Sequence, residues 1–474
     1  MSTQQATLLP ATSAPGLRVP RVDRRRQYAR RARMSDLLVT LLWASGAAAT
    51  ALYLAYGGLA DWTSTAGVVT GLGIIAGLVG TDFVLVMLLL AARVPIIDRT
   101  VGHDRAIATH RRLGKPALYL LLAHGLLLLV GYGMSAGIDP IAEIEAMLAL
   151  PDMPLAFVAM GLFIAVVVTS LVAVRRKFSY EGWHLIHLLS YAAVIFAVPH
   201  QFSNGGVLAA GTWQQVYWIA LYVTALSAIV VCRFVTPIVS TLRHQITVSG
   251  TETLSPGVVS IHLRGRNLRR LRSEGGQFLI WRFWTGKTWY HSHPISLSAM
   301  PSDSHVRITV RDLGAGSQRI GRVPAGTRVS MEGPYGLFSD VARTSPRLAI
   351  IAAGIGVTPA RTLLESSPLT PGEATILLRA GDRDEMYLWD EIEQIAAAKD
   401  ATLYRSVGHR GAGVSSWLAA EDAARGVSLQ SIFPKLMHSD LYLCGPSAWL
   451  DAVEAEARSL GVPEHHIHAE RLDW

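Results

Sequence analysis

Four histidines, His110, His124, His187 and His200, lie in stretches that are otherwise strongly apolar. His110 and His124 stand 14 positions apart, and His187 and His200 stand 13 apart. At 1.5 Å of rise per residue each pair spans roughly 20 Å of helix. That puts one histidine of each pair near either face of a bilayer core about 30 Å thick. Imidazole is an axial ligand of heme iron, so two helices crossing in the same direction can clamp two stacked hemes. Each iron then takes one imidazole from each helix, and the result is a wire for electrons. Ionisable groups inside a span are rare and usually functional, although any one histidine taken alone is as well explained by a hydrogen bond to a neighbouring helix.

Helical geometry tests the pairs unevenly. Fourteen residues return to within about 40° of the starting face, whereas thirteen miss by about 140°. Pro199, directly before His200, removes a backbone hydrogen bond and permits distortion there. His184 is a competing ligand whose depth matches His110 less well, and His103 reads as a solvated residue of a basic loop. Asp82 falls in the middle of a span. It either relays protons or bonds a neighbour such as Thr81 or another helix.

The elements that must carry these residues follow from composition. The chain has 474 residues, half of them hydrophobic, with a net charge of +8 and a mean hydropathy of +0.32. That is too apolar for an ordinary soluble enzyme, and the apolar residues concentrate before about residue 236. Residues 1–34 read as a basic disordered tail holding Arg24, Arg25, Arg26, Arg30, Arg31 and Arg33; such a tail sets topology and touches anionic lipid, and no nucleic-acid partner is expected. Six apolar spans follow at about 36–57, 66–92, 113–134, 154–174, 183–200 and 213–236, within a membrane domain of 35–238. Lys and Arg crowd the tail, the 93–115 loop, the Arg175–Arg176–Lys177 turn and the exit at Arg233, while the loops near 58–65, 135–153 and 201–212 have none. The positive-inside rule then puts both termini in the cytoplasm of a multi-pass plasma-membrane protein. Arg93, Arg111 and Arg112 either meet propionates of the inner heme or serve topology alone. Two cysteines, Cys232 and Cys444, make no disulfide framework and no zinc site. No signal peptide is expected.

From residue 243 to 341 short alternating segments separated by Gly, Pro and Ser read as an antiparallel barrel. From 345 to 474 strand and helix alternate, as in a parallel sheet with crossover helices. Gly354-Ile355-Gly356-Val357-Thr358-Pro359 joins a buried strand to a helix, a place where glycines let a pyrophosphate approach the backbone and the helix N-terminus favours its charge. The overall class is a multidomain membrane protein: an all-α six-helix bundle, an antiparallel β-barrel, and an α/β parallel-sheet domain.

HPISLSAM, ITVRDLGAGS, EGPYG, AAGIGVTPA, LYLCGPS and an aromatic C-terminus, in that order, resemble the ferredoxin–NADP⁺ reductase-like module. Preceded by six spans with these histidines, RRLGK after His110 and YEGWHLIHLLSY, the whole resembles the ferric reductase/NADPH oxidase superfamily. The resemblance implies FAD, two b-type hemes and NADPH, with NADH an open alternative. It implies that His110 and His187 hold the inner heme and His124 and His200 the outer. It gives His293, Pro294, Ile295 and Ser296 to the flavin-binding strand, with Ile308 and Val310 on the neighbouring motif, and Gly314, Gly316 and Ser317 to the turn at the FAD pyrophosphate. Gly354, Gly356, Thr358 and Pro359 take the nicotinamide dinucleotide, while Cys444, Gly445 and Pro446 sit by the nicotinamide. Trp474 stacks on the flavin ring; with Cys444 it is the expected catalytic contributor. The plainer accounts are an ordinary strand histidine, a buried small hydrophobe and a frayed terminus. His293 stands where many such reductases carry Arg, and Ala353 where a third glycine is common.

Arg379, ending the ATILLRA strand, is expected to meet a 2′-phosphate, with Arg383 and Arg410 nearby; solvated surface arginine is the competing account. The expected activity is passage of electrons from cytoplasmic NADPH through FAD and two hemes to an outer acceptor, oxygen giving superoxide. Ferric chelate, or an external partner fed by this chain as its electron-delivering subunit, are the alternatives within that class. The outer carboxylates Asp61, Asp139, Glu143, Glu145 and Asp152 slightly favour a cationic acceptor. A membrane transporter or proton channel with a nucleotide-binding regulatory domain is the reading from a different class, and it predicts no heme.

Overall fold

Six helices of the amino-terminal half are long and apolar enough to cross a bilayer: Arg26–Ala55, Thr65–Ala91, His103–Ala136, Met153–Ser170, Gly182–Ser203 and Trp213–His244. The structure, a computed structural model, describes residues 24–171, 174, 177–178, 180–413 and 415–472. Residues 1–23 of the basic tail, Arg175, Arg176 and Trp474 lie outside the described residues. No more than 39% of the most apolar stretch of any span is buried, and side chains such as Trp43, Leu126, Leu185, Ile195 and Val223 are exposed. Surface that apolar needs lipid against it.

The elements of this half are α1 (Arg24–Ala55), α2 (Thr65–Ala91), α3 (Pro95–Thr100), α4 (His103–Ala136), α5 (Pro140–Leu148), α6 (Met153–Ser170), α7 (Tyr180–Ser203), α8 (Trp213–Val230) and α9 (Thr236–His244). Two boundaries depart from the sequence reading. Helix α1 starts at Arg24, well inside the expected tail, because the Arg- and Ala-rich 24–34 contains good helix formers and no Pro or Gly. Helix α4 starts at His103, ten residues before the expected span, behind the left-handed Gly102. His103 and His110 therefore belong to the same helix as His124.

Helices α2 and α4 pack antiparallel through a row of small residues. A side chain at Gly73 would meet Leu127 and Leu128, one at Gly77 the ring of His124, one at Gly80 Leu120 and Leu121, and one at Gly131 Thr70. Positions 73, 77 and 80 share one face of α2. Glycine there lets the two backbones approach as closely as membrane helices allow.

The barrel strands are β1 (Ile246–Ser255), β2 (Val258–Arg264), β3 (Phe278–Phe283), β4 (His293–Ala299), β5 (His305–Arg311) and β6 (Arg328–Tyr335). They close in the order β1-β2-β5-β4-β3-β6, around a core of Trp281, Phe283, Leu279, Leu297, Ile261 and Ile308, none of them exposed. A short helix, α10 (Ala315–Gly321), follows β5. This barrel and the membrane helices make up one compact unit, residues 30–339.

The second unit contains residues from 340 onward together with 24–29. Its strands β7 (Arg347–Ala353), β8 (Ala374–Ala380), β9 (Thr402–Val407), β10 (Ser439–Gly445) and β11 (Ile467–Arg471) form a parallel sheet in the order β11-β10-β7-β8-β9. Helices α11 (Val357–Ser366), α12 (Trp389–Ala398) and α13 (Ser447–Ser459) are among its crossovers. The chain leaves β7 toward β8 on one side and returns to β10 on the other. The crevice beyond the carboxyl ends of β7 and β10 is thus the topological switch point, where open sheets of this kind bind ligands.

Candidate functional site

The histidines meet in pairs. The rings of His110 on α4 and His187 on α7 have centroids 6.1 Å apart, with planes at 65°. His124 and His200 line one cavity of about 560 Å³ whose other walls are mostly apolar and come from α2, α4, α6, α7 and α8. The Nδ1 of His110 lies 3.1 Å from the carbonyl oxygen of Met87, and that of His124 lies 2.9 Å from the carbonyl oxygen of Gly73. The two carbonyls are 14 residues apart on α2, as the two histidines are on α4. When Nδ1 donates to a carbonyl, the lone pair of Nε2 is left for a metal. Gly77 makes the His124 contact possible, since a Cβ at 77 would fall on the imidazole. Among the described residues, His187 and His200 each have a buried Nδ1 without a hydrogen-bond partner. His184, the competing ligand, is tilted against Trp183, and the Trp183 ring stacks on His187 at 5.2 Å.

Beside His200 a polar cluster faces the same cavity. Gln201 Oε1 accepts from Trp218 Nε1 at 2.8 Å and from Tyr222 at 3.2 Å. Asp82 is wholly buried and takes the Ser45 hydroxyl at 2.5 Å, so the partner it finds is on α1 and not Thr81. Of the outer carboxylates, Asp139 caps α5 through the amides of Ile141 and Ala142, and Glu143 is buried.

In the barrel, His293 begins β4 and Gly316 lies beside it: a Cβ there would sit 3.9 Å from the imidazole Cε1. Gly314 has φ 142°, and Ser317 closes its turn by accepting from Leu313 N–H at 2.8 Å and donating to the Gly314 carbonyl at 2.9 Å. The two motifs thus converge, with the Nε2 of His293 buried and unpartnered. Burial, and then the charge of His291, push His293 down to about 4. Pro294 and Ile295 are half-buried, and Ser296 is 7% exposed. Ile308 and Val310 depart from the expectation: both belong to the hydrophobic core of the barrel, because apolar residues at alternate positions of a closed barrel strand turn inward.

At the switch point the Gly354–Gly356 turn rides on the end of β10. A Cβ at Gly356 would run into the backbone of Cys444 and Gly445, and one at Gly445 into Trp449 and Ala353. Gly354 adopts φ 54°. Thr358 is buried and bonds the Ile355 carbonyl at 3.0 Å, and Pro359 lies in the first turn of α11, where its missing N–H is not needed. Pro446 caps α13. Cys444 sits in a strand buried along its whole length, and burial raises its thiol well above the ordinary range. Enclosed there, it packs as a small core residue.

Arg379 is the clearest correction. Its side chain is buried, and its guanidinium donates to the carbonyls of Trp417 at 3.2 Å, Gly408 at 2.5 Å and Ser406 at 3.4 Å, and to that of Ala380. It holds loop backbone together, and four of its five N–H groups are taken there. Arg383 and Arg410, beyond the carboxyl ends of β8 and β9, are exposed. Asp382, which follows β8 closely, spends one oxygen on the amides of Asp384 and Glu385.

Arg93, expected at a heme propionate or in a topological role alone, and Arg233, expected to serve topology, both meet a barrel carboxylate. Glu332 of the EGPYG motif is bonded to Arg93, and Arg233 reaches the same oxygen at 3.4 Å. His103, expected to be solvated, stacks on Tyr335 with centroids 5.5 Å apart and lies 3.3 Å from Asp98. Burial pushes the Tyr335 phenol up to about 12. The available signal was a carboxylate in a barrel motif together with arginines at the basic ends of two spans.

The profile of the ferric reductase like transmembrane component matches residues 76–198. Ferredoxin–NADP reductase B of Sorangium cellulosum is 31% identical over 196 residues, 38% of this chain and 77% of that protein. The ferredoxin reductase component of 3-ketosteroid-9-alpha-monooxygenase from Mycolicibacterium smegmatis is 28% identical over 42% of this chain and 56% of that one. Among solved structures, the flavohem-like FAD/NAD binding domain of nitric oxide dioxygenase from Vibrio cholerae is similar over 48% of this chain and 98% of that one, at 23% identity and a TM-score of 0.38. Spans and relatives together define a multi-pass membrane oxidoreductase. By its carboxy-terminal half the chain belongs to the ferredoxin–NADP reductase family, and that half is joined to a ferric reductase-like transmembrane component.

Two outcomes follow from these positions. His293 has an ordinary value of 6.5 and is held near 4, so between those values the unfolded chain takes up a proton that the folded one refuses, and stability falls as pH drops through that window. The melting temperature of the full chain should fall more between pH 7.5 and 5.0 than that of His293→Gln; equal falls would remove the assignment. Arg379→Ala leaves several buried carbonyls without a donor and should cost about 3 kcal/mol or more in stability, read by denaturant melting.

Proposed function

We propose that this chain is a transmembrane NAD(P)H oxidoreductase that passes electrons from cytoplasmic NADPH, through FAD and two b-type hemes, to an acceptor across the membrane, with oxygen reduced to superoxide. The observation that carries it is the pairing of His110 with His187 at 6.1 Å. Two metal–nitrogen bonds of about 2 Å plus the inner halves of two imidazole rings add to about 6 Å, so one iron fits between them. Rings that share an axis through the iron are free to differ in plane, and 65° is compatible with that.

Three further features fit heme. Buried ring nitrogens without partners on His187 and His200 are costly unless a ligand is held by those rings. A cavity of about 560 Å³ at His124 and His200, largely apolar, suits a flat macrocycle. Among the described residues no group of three or more metal-ligating side chains exists, so a metal held by these pairs needs its other ligands from a macrocycle.

When bound, FAD would convert hydride to single electrons and heme iron would carry them one at a time. The chain's own residues bind, orient and insulate. Met87 and Gly73 carbonyls orient His110 and His124. His293 and the Gly314–Ser317 turn receive the flavin phosphates, and Ser296 the flavin ring. Gly354, Gly356 and the Gly445–Pro446 segment form the dinucleotide crevice, with Arg383 and Arg410 the candidates for a 2′-phosphate. The printed name of the Sorangium relative includes NADP, which supports NADPH as donor. Bis-histidine ligation leaves no open iron position, so the acceptor is reduced at the outer heme edge, beside Gln201, Trp218 and Tyr222. The basic loops support a cytoplasmic reductase half through the positive-inside rule. Trp474 is the proposed stacking residue of the flavin.

The test is an absorption spectrum of detergent-purified protein, before and after anaerobic NADPH and again after oxygen. A low-spin b-type spectrum that reduces with NADPH and reoxidises as superoxide forms is expected. Reoxidation by ferric chelate alone would reassign the acceptor. A heme-free preparation from heme-supplied cells would end this reading in favour of the transporter. His124→Gln should lower heme content from two to one and abolish reduction of the outer acceptor, while NADPH–ferricyanide activity of the flavin module persists.

A further inference from the structure

Two departures from regular helix bring two arginines to one carboxylate. Helix α2 ends at Ala91 with Ala92 as its C-cap, and the next residue, Arg93, adopts φ 60°. That conformation is strained for any residue with a side chain, and glycine is the usual occupant after a helix. The sixth span is interrupted by a π-turn, Val231–Val235, with Arg233 at its centre. Such turns are rare and often mark functional positions. Both guanidinium groups converge on Oε2 of Glu332 at the end of the barrel, and the side chains of Arg93 and Glu332 are only 16% and 15% exposed. The carboxylate belongs to the EGPYG segment, whose Tyr335 lies under Arg93 at 5.6 Å and against His103.

The register of the barrel extends this contact. Phe278 on β3 is paired with Tyr335 on one side and with Ser296 on the other. Ser296, proposed to meet the flavin ring, is therefore two strands from Tyr335, with Phe278 between. On the membrane side His103 opens α4 seven residues before His110. Seven residues amount to roughly 10 Å of helix and return to nearly the same face. A continuous row, Ser296, Phe278, Tyr335, His103, leads from the barrel to the helix that carries the inner histidine.

We infer that Glu332, clamped by Arg93 and Arg233, docks the barrel on the cytoplasmic end of the inner-histidine helix, and that the Tyr335–His103 stack is the positioning contact across which the two halves exchange electrons. The inference rests on the proposed flavin-to-heme direction for its functional part, and on the geometry alone for the docking. The two backbone irregularities fall at the two arginines that reach the carboxylate. Glu332 and the two arginines are positioning residues; none touches the reacting groups.

The experiment compares Glu332→Arg, Arg93→Gly and the exchange Arg93→Glu/Glu332→Arg in the full chain. Hydrogen exchange at 95–103 and 328–336 reads docking without any cofactor, and it should rise in Glu332→Arg and fall back in the exchange. NADPH–ferricyanide activity should stay within twofold of the parent, while heme reduction by NADPH slows at least tenfold in Glu332→Arg and recovers at least in part in the exchange. Tyr335→Leu should slow heme reduction with little change in exchange. Arg93→Gly is the sharp case, since glycine accepts φ 60° freely: a merely structural residue predicts unchanged heme reduction, docking predicts a several-fold loss. Parent-like exchange and heme reduction in Glu332→Arg would overturn the inference. A heme-free protein in which Glu332→Arg still raises exchange would overturn the functional reading and leave the docking standing.

Discussion

The contact on which the membrane half depends is a hydrogen bond between an imidazole Nδ1 and a backbone carbonyl of a neighbouring helix. His110 and His124 each make it, to Met87 and Gly73 of α2. A carbonyl inside a helix already accepts from the residue four positions on, and its second lone pair is reachable only where nothing covers it. At Gly73 the covering position is 77, and it is glycine; at Met87 it is 91, and it is alanine. Small residues on α2 therefore do two things together: they let α4 approach, and they set the tautomer and direction of the histidines that approach brings.

A similar economy governs the junction between the helices and the barrel. Lipid-facing helices tolerate few charges, so arginines collect at their ends, where topology already calls for them. Arg93 and Arg233 are such end residues, yet both are turned by irregular backbone onto the single carboxylate of Glu332. Paired and partly shielded charges of this kind are worth more for orientation than for net stability. The reductase-type sheet solves a different problem. Its glycines at 356 and 445 stand where a side chain would run into the ends of β7 and β10, and Gly354 takes a left-handed φ of 54°.

Where the sequence reading and the structure part, the reason is usually tertiary pairing. Arg379 ends its strand as anticipated, but carbonyls from β9 and the loop after it take most of its donors; no feature of ATILLRA announces those partners. Cys444 lies in a strand covered on both faces, and neither neighbour in sequence reveals that. Ile308 and Val310 were grouped with a motif whose exposed residues are others, since period-two alternation sends them to the barrel core. His103 looks like a loop residue until α4 is seen to begin there and Tyr335 to cover it.

What the sequence determined by itself is local or periodic: six spans from apolar length, the barrel and the parallel sheet from alternation and turn residues, and the spacing of four histidines along their helices from a constant rise per residue. What only the tertiary structure decided is which side chains share a partner. His110 met His187 and not His184, Asp82 took Ser45, and two arginines 140 positions apart took one glutamate. Depth along a helix is set by the backbone, whereas pairing across helices depends on rotation, close approach and backbone irregularities such as the left-handed Arg93 and the π-turn at Arg233, and those are settled when the elements pack against one another.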